Sequence, residues 1–167
     1  MPRLLRTTLP DGYFHAYSRA VHGTHLYADD QDRRLFLKML MTTAKRRSWE
    51  LHAICLMGTH YHVVLRTTVE WLAAGMHWLN GVYAQRFNRR HGRFGHLFAG
   101  RYTARTIETE EYLASACEYV LLNPVRAGLC TQAEEWPWSG SRSGFPDARA
   151  NTCSIRPARI HWVGYGL

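Results

Sequence analysis

Apolar and polar residues alternate along this chain with a period that changes between two and about 3.6, and each stretch of constant period predicts one element. Aromatic residues alternate with smaller ones over 12–19, which predicts a first strand. From Asp29-Asp30 onward apolar residues recur every three or four positions, which predicts a helix. The apolar runs 49–57 and 59–67 meet at a Gly58-Thr59 turn signal and predict two more strands.

The rest of the pattern adds three further elements. An apolar stripe predicts a second long helix over 70–90, and the glycines of 92–100 predict a flexible, arginine-rich loop. The segment 101–107 is typical of a fourth strand. Thr109 is a favourable N-cap for a third helix, which Pro124 should end because proline has no amide hydrogen to donate.

This order of elements predicts an α+β fold. A strand, a helix, two strands, a helix and a strand form a ferredoxin-like antiparallel sheet with helices on it, and one extra C-terminal helix follows. We expect one domain over 1–143 and an irregular tail over 144–167, where Pro, Gly, Ser, Asn and Arg dominate. Trp136 and Trp138 should hold the end of the domain on the core.

The net charge of +8 is unevenly distributed, because no acidic residue lies between Glu70 and Glu108. Six arginines fall in that interval: Arg86, Arg89, Arg90, Arg93, Arg101 and Arg105. Aromatic residues are interleaved with them, among them Phe87, Phe94 and Tyr102. Guanidinium groups bind phosphates and aromatic rings stack on unpaired bases, so the segment suits a single-stranded nucleic acid. The alternative is a solvated basic helix end with some core aromatics.

Composition also bears on the compartment. No apolar stretch reaches the roughly 18 residues of a membrane span, and residues 1–6 lack a signal-peptide core. The four cysteines form no Cys-x-x-Cys pair, which argues against a zinc ribbon and a disulfide framework. We therefore expect a cytoplasmic, nucleoid-associated protein without a membrane partner.

The triplet His60-Tyr61-His62 is the first candidate site. On a strand His60 and His62 share one face while Tyr61 points to the other, and the two imidazoles lie about 6.6 Å apart along the strand. Such a pair can bind one metal ion if a third ligand comes from elsewhere. The alternative is a pair of hydrogen-bonded histidines in a half-buried strand.

The predicted third helix offers the missing groups. Tyr119 and Asn123 are four residues apart, and therefore neighbours on a helix surface. Together they would supply a nucleophile and an amide oxygen, and two imidazoles with one hard oxygen suit Mg²⁺ or Mn²⁺. A core tyrosine and a helix C-cap asparagine are the alternatives. Tyr112 lies on the same face but has Ala116 in place of an amide.

Four motifs in order resemble the single-tyrosine HUH transposases, and most closely the REP-associated tyrosine transposases, which act on repetitive extragenic palindromes of bacterial genomes. The motifs are MGTHYHVVL at 57–65, WLNGVYAQRFNRRHG at 78–92, GHLF with GRY at 95–102, and YVLLNPVRAGL at 119–129. The resemblance runs from about residue 10 to about residue 142 and ends in the WPWS element at 136–139.

The resemblance implies a metal-dependent endonuclease and strand transferase that cuts single-stranded DNA near hairpins through a 5′-phosphotyrosine intermediate. His60 and His62 match the metal-binding pair, Tyr119 matches the nucleophile, and Asn123 matches the residue that completes the metal shell. The expected partner is single-stranded or hairpin DNA, bound by a monomer or homodimer. The expected DNA contacts are the six arginines above together with Arg19, which ends the first strand near the family's DNA-binding region.

Two departures from the family pattern concern the turn and the DNA contact. Gly58-Thr59 stands where the family usually has Pro-Asn, and Ala20-Val21 follows Arg19 where Gly and Asn are common. Two other functions stay open. One is a domesticated DNA-binding protein that keeps the fold and no longer cuts, and the other is a relative of replication initiators or relaxases.

Overall fold

The computed structural model of the chain describes residues 11–142. Its strands are β1 (Gly12–Arg19), β2 (Glu50–Leu56), β3 (His60–Thr67), β4 (Thr103–Ile107) and β5 (Ser139–Ser141). Its helices are α1 (Asp30–Arg46), α2 (Val69–His91), α3 (Glu110–Leu121) and the single turn α4 (Asn123–Arg126), and a 3₁₀ turn spans Ala133–Glu135. The predicted tail over 144–167 lies outside the described residues.

The five strands form one antiparallel sheet in the order β4-β1-β3-β2-β5. The first four strands have the ferredoxin-like order, so the predicted α+β fold is confirmed. β1 and β3 are the central pair, and their register places Tyr17 opposite His62 and Arg19 opposite His60. The two histidines therefore lie on the central strand β3, at the end where that strand begins.

The two faces of the sheet carry different cores. Helices α1 and α2 cover one face, where Phe14, Tyr61 and Val63 are fully buried. The Tyr61 hydroxyl donates to Asn80 Oδ1 on α2 at 2.7 Å, so Tyr61 does point away from the histidine face. Helix α3 covers part of the other face through Ala116 and Val120, which join a second cluster of buried residues.

The third helix ends earlier than predicted. Thr109 caps its start by accepting a hydrogen bond from the Tyr112 amide at 3.1 Å, as expected. At the other end α3 stops at Leu121, and the chain turns again as α4 with Pro124 in its first turn. Proline cannot donate to the carbonyl four residues earlier, but it is tolerated in the first turn of a new helix. Asn123 therefore opens α4 and is not the C-cap of α3.

Strand β5 has no counterpart in the sequence pattern, because Ser-Gly-Ser carries no alternation of apolar and polar residues. Two contacts around it place this segment on β2. Trp136 Nε1 donates to the Leu56 carbonyl at 3.0 Å, and the Leu56 amide donates to the Trp138 carbonyl at 2.8 Å. The tryptophans thus hold the end of the described chain on the core, as predicted. The fourth strand begins at Thr103, two residues later than predicted.

No helix within residues 11–142 is both long and apolar enough to span a membrane.

Gly75 marks the tightest approach of α2 to the core. A Cβ at this position would overlap Trp49 Cζ2, whereas a Cβ at Gly81 on the same helix would meet nothing within 4 Å. We expect Gly75→Ala to lower the free energy of unfolding by about 1–3 kcal/mol through overpacking. Gly81→Ala should raise it by up to about 1 kcal/mol, because alanine is the better helix former.

Urea unfolding of both variants checks this prediction. Equal stability of the two variants would contradict it.

Candidate active site

His60 and His62 lie on the face of the sheet that α3 partly covers, as the two-residue alternation predicted. The register of β1 and β4 brings further residues of that face beside them: Tyr17 is opposite His62, and Arg105 is opposite His15. His62 is buried at 4% exposure, whereas His60 is half-buried at the strand end. His60 is therefore the accessible member of the pair, whereas His62 is enclosed.

His15 is the neighbour that the sequence analysis missed. Its Nε2 atom lies 2.9 Å from Nδ1 of His62, in a buried hydrogen bond between the two central strands. The alternation Tyr13, His15, Tyr17 on β1 was the available signal, because every second residue of a strand shares a face. Which β1 face meets the histidines of β3 depends on the register, and the sequence alone does not give it.

The three imidazoles are held in the neutral form. Burial, together with the charges of His15, His60 and Arg19, lowers the pKa of His62 to about 3. Burial and the nearby Arg105 lower the pKa of His15 to about 4. Burial and Arg19 also lower the pKa of His60. Neutral imidazole is the form that binds a metal ion, so no proton has to be displaced near pH 7.

The hydrogen bonds of the two motif histidines leave the same ring nitrogen for a ligand. Nδ1 of His62 is bonded to His15, and Nδ1 of His60 lies 3.1 Å from the Thr59 hydroxyl oxygen. When His62 carries its proton on Nδ1 and donates it to His15, its Nε2 has a free lone pair. Metal-binding histidines commonly donate their second N–H in this way.

Tyr119 lies on α3 above the buried histidine pair. Its ring centroid is 5.9 Å from that of His62 and 5.9 Å from that of His15. The side chain is 44% exposed, so the ring touches the site and the residue stays open to a large substrate. The structure thus brings Tyr119 to the histidine strand, as the sequence analysis had expected from the donor groups of the third helix and from the family resemblance.

The break between α3 and α4 brings two side chains back to Tyr119. Asn123 Nδ2 and Arg126 Nη1 donate to the Tyr119 carbonyl at 3.3 and 3.2 Å. The Arg126 guanidinium also lies over the Tyr119 ring, 4.8 Å from its centroid. The Asn123 side-chain nitrogen is thereby hydrogen-bonded to the Tyr119 carbonyl, which leaves the side-chain oxygen for another partner.

The predicted metal set is only partly assembled. No hydrogen bond or ring contact joins Asn123 to His60 or His62, and residues 11–142 contain no group of three His, Cys, Asp or Glu side chains able to hold a metal ion. The donors that lie together are the imidazoles of His60 and His62, whose ring centroids are 5.1 Å apart. Such a set leaves several positions of a metal shell for water or a substrate.

The seven arginines predicted to bind DNA do not form one surface. Arg19 and Arg105 are exposed on the histidine face, and Arg101 is exposed just before β4. Arg86 and Arg89 are exposed on α2, which covers the opposite face of the sheet.

The two remaining arginines have partners within the fold. Arg90 binds the Asp29 and Asp32 carboxylates at 2.7 and 2.5 Å. Arg93 donates to the Thr24 hydroxyl at 3.1 Å.

The family model described as "Transposase IS200 like" matches residues 16–122, a span that includes the second half of β1, both motif histidines and Tyr119. The chain belongs to the IS200-like transposase family. It is therefore related to enzymes that move DNA segments.

A solved structure has the same fold as this IS200-like transposase. It is described as the structure of a REP-associated tyrosine transposase bound to a REP hairpin, and the TM-score is 0.68 at 15% sequence identity. The match covers 83% of this chain and 82% of the other. A comparison with curated protein sequences found no match.

The contacts of Arg90 in this transposase stabilise the fold, because they join α2 to the start of α1. Its guanidinium is bonded to Asp32, whose side chain is 1% exposed, so removing the guanidinium would leave a buried carboxylate with fewer partners. We expect Arg90→Ala to unfold at a clearly lower urea concentration than the wild type. Arg89→Ala is the matched control and should keep the wild-type midpoint, since Arg89 makes no ion pair within residues 11–142. Wild-type stability of Arg90→Ala would refute this role.

Proposed function

We propose that this transposase is a metal-dependent endonuclease and strand transferase that cuts single-stranded DNA beside a hairpin through a phosphotyrosine intermediate. The observation that carries the proposal is the position of Tyr119, half exposed and 5.9 Å from the His62 ring. The structural neighbour supports the choice of substrate, because that protein is bound to a REP hairpin. The proposal also places the protein at the nucleoid, where DNA that becomes single-stranded would be its substrate.

The Tyr119 hydroxyl is the nucleophile of the proposed reaction. Its oxygen attacks the scissile phosphorus in line, the O–P bond forms as the bond to the 3′ oxygen breaks, and the phenol proton is lost. The leaving oxygen takes up a proton and becomes a free 3′-OH, while the 5′ side stays on Tyr119. Attack by another 3′-OH reverses these steps and joins the new strand, so no nucleotide cofactor is consumed.

A divalent metal ion, Mg²⁺ or Mn²⁺, would be held by Nε2 of His60 and His62 and by the Asn123 amide oxygen. Bound there, it would act as a Lewis acid that neutralises charge on the scissile phosphate. The donors fit this role because both imidazoles are neutral and their Nδ1 atoms are already hydrogen-bonded. Hard oxygen and imidazole ligands with open positions suit these ions better than a closed zinc site.

Arg126 and Asn123 support the nucleophile from α4, the helical turn that follows α3. Their two hydrogen bonds to the Tyr119 carbonyl fix the backbone at the end of α3, and the guanidinium restricts the ring from above. Residues 11–142 contain one tyrosine in this position, so joining two DNA ends requires either a second use of Tyr119 or two copies of the chain.

Replacement of the nucleophile tests the reaction directly. In the presence of Mn²⁺ and a labelled pool of single-stranded DNA hairpins, we expect the wild type to form a covalent protein–DNA band on a denaturing gel. Tyr119→Phe should form none, because phenylalanine has no hydroxyl. Tyr112→Phe is the matched control on the same helix, since Tyr112 is 43% exposed, and it should keep the band within about twofold.

Other outcomes would favour the rival functions. DNA retarded but never cut by the wild type, with both Mg²⁺ and Mn²⁺, would favour a domesticated DNA-binding protein of this fold. A covalent band of equal intensity in Tyr119→Phe would remove Tyr119 from the mechanism.

Metal binding can be tested without cleavage. A ligand that binds only the folded state raises the free energy of unfolding by about 2.7 kcal/mol at a concentration about one hundred times its Kd. We expect Mn²⁺ to stabilise the wild type and to have a much smaller effect on His60→Ala, each compared with its own metal-free state. His96→Ala, an exposed histidine outside the site, is the control. Equal stabilisation of His60→Ala would argue against the proposed ligand.

A further inference from the structure

Phe94 is the most exposed of the large apolar side chains that the structure describes. Its side chain is 97% exposed, whereas the other exposed members of that class, such as Trp71 and Leu129, are at 40–52%. Phe94 lies in the connection between α2 and β4, beside Arg93. A phenylalanine in this position exposes its whole ring to water in the free protein, at a cost in free energy.

The segment that carries Phe94 is well anchored. Asn88 Nδ2 donates to the Gly95 carbonyl at 2.8 Å, and the Arg93 amide donates to the Asn88 carbonyl at 2.9 Å. Three residues beyond Phe94, Leu97 is 1% exposed and its carbonyl accepts from the Val21 amide at 3.0 Å. The exposure of the ring therefore comes from a fixed turn and not from a loose loop.

Glycines shape this turn on both sides of the ring. Gly92 and Gly95 have φ angles of 60° and 88°, in the left-handed region that residues with a side chain rarely adopt. Phe94 lies between these two glycines in the sequence.

The turn lies at the end of the sheet that carries the site. The Ala99 amide donates to the Arg19 carbonyl at 2.9 Å, and Ala20 forms a bridge with Phe98. Arg19 is paired across the sheet with His60. The Phe94 turn thus continues from the strand end next to the first motif histidine.

The chain segment on both sides of the ring is rich in cations. No acidic residue lies between Glu70 and Glu108, and the exposed Arg89 and Arg101 lie on either side of Phe94 along the chain. An apolar ring among cations and without carboxylates matches a ligand with flat apolar faces and a negative backbone. Unpaired nucleotides have both properties, and base–aromatic stacking tolerates any base.

We propose that Phe94 is a base-stacking residue, on which an unpaired base next to the DNA hairpin stacks while the adjoining phosphates lie against Arg89 and Arg101. The inference rests on the proposed function for its choice of DNA. It adds the contact by which unpaired nucleotides, rather than the duplex stem, are held near the site.

Binding by an uncut substrate tests this contact. In a Tyr119→Phe background, fluorescence anisotropy would measure the Kd for a labelled pool of DNA hairpins with unpaired random flanks and for blunt hairpins without flanks. Loss of one base–aromatic stack should weaken binding of the flanked pool about 5- to 100-fold in Phe94→Ala. Phe94→Trp should retain binding, and the blunt hairpins should bind both variants and the parent alike.

Two controls separate stacking from charge and from general damage. Met41→Ala removes an exposed apolar side chain from α1 and should leave the Kd unchanged. Phe94→Ala should keep the slope of log Kd against log salt concentration, whereas Arg89→Ala should reduce it by about one phosphate contact.

The stacking role would be overturned by an unchanged Kd of Phe94→Ala on the flanked pool, or by equal weakening on both pools. A change of oligomeric state in Phe94→Ala, measured by light scattering, would instead assign the ring to an interface between copies of the chain.

Failure of this inference is distinguishable from failure of the proposed function. Covalent cutting by the wild type, together with a Kd that Phe94→Ala does not change, would reject the stacking role alone. Phe94-dependent binding without any covalent product would reject the endonuclease alone. No measurable binding to either pool would reject both.

Discussion

The antiparallel pairing of β1 with β3 is the constraint on which the rest of the structure depends. Alternation along these two strands sends Phe14, Tyr61 and Val63 into the core under α1 and α2. The same alternation sends His15 and His62 to the other face, where they meet in a buried hydrogen bond. A shift of the register by one residue would exchange the two sets, so the stability of the core also fixes the chemistry of the site.

Partial coverage by α3 then decides how open that second face is. Ala116 and Val120 bury the lower part of the face, against Val64 and its neighbours. The upper part, where His15 and His62 are buried, ends at the half-buried His60 and the half-exposed Tyr119. Burial strong enough to keep the imidazoles neutral therefore coexists with room for a polymer substrate.

The sequence predicted the elements whose signals are local and missed the features that depend on long-range partners. Helices α1 to α3 and the first four strands followed from periodicity, and the Thr109 cap followed from its own turn. The break that starts α4 was not predicted. β5 was missed because its pairing depends on Trp136 and Trp138, far from β2 in the chain.

The candidate site shows the same division. The shared face of His60 and His62 was predictable from one strand, whereas His15 needed the register of two. Arg90 resembled its neighbours along the helix, and only the tertiary structure brings Asp29 and Asp32 to it.

The carbonyl of Tyr119 accepts hydrogen bonds from both Asn123 and Arg126. The site therefore has two parts, one held by contacts local in sequence and one held by the sheet. The tyrosine and its supports all lie within the short segment 119–126, so their contacts are local in sequence. The histidine pair joins positions 47 residues apart and exists only when the whole sheet has formed. Substitutions that loosen the sheet would therefore separate His15 from His62 first, while Tyr119 would keep its hydrogen bonds to Asn123 and Arg126.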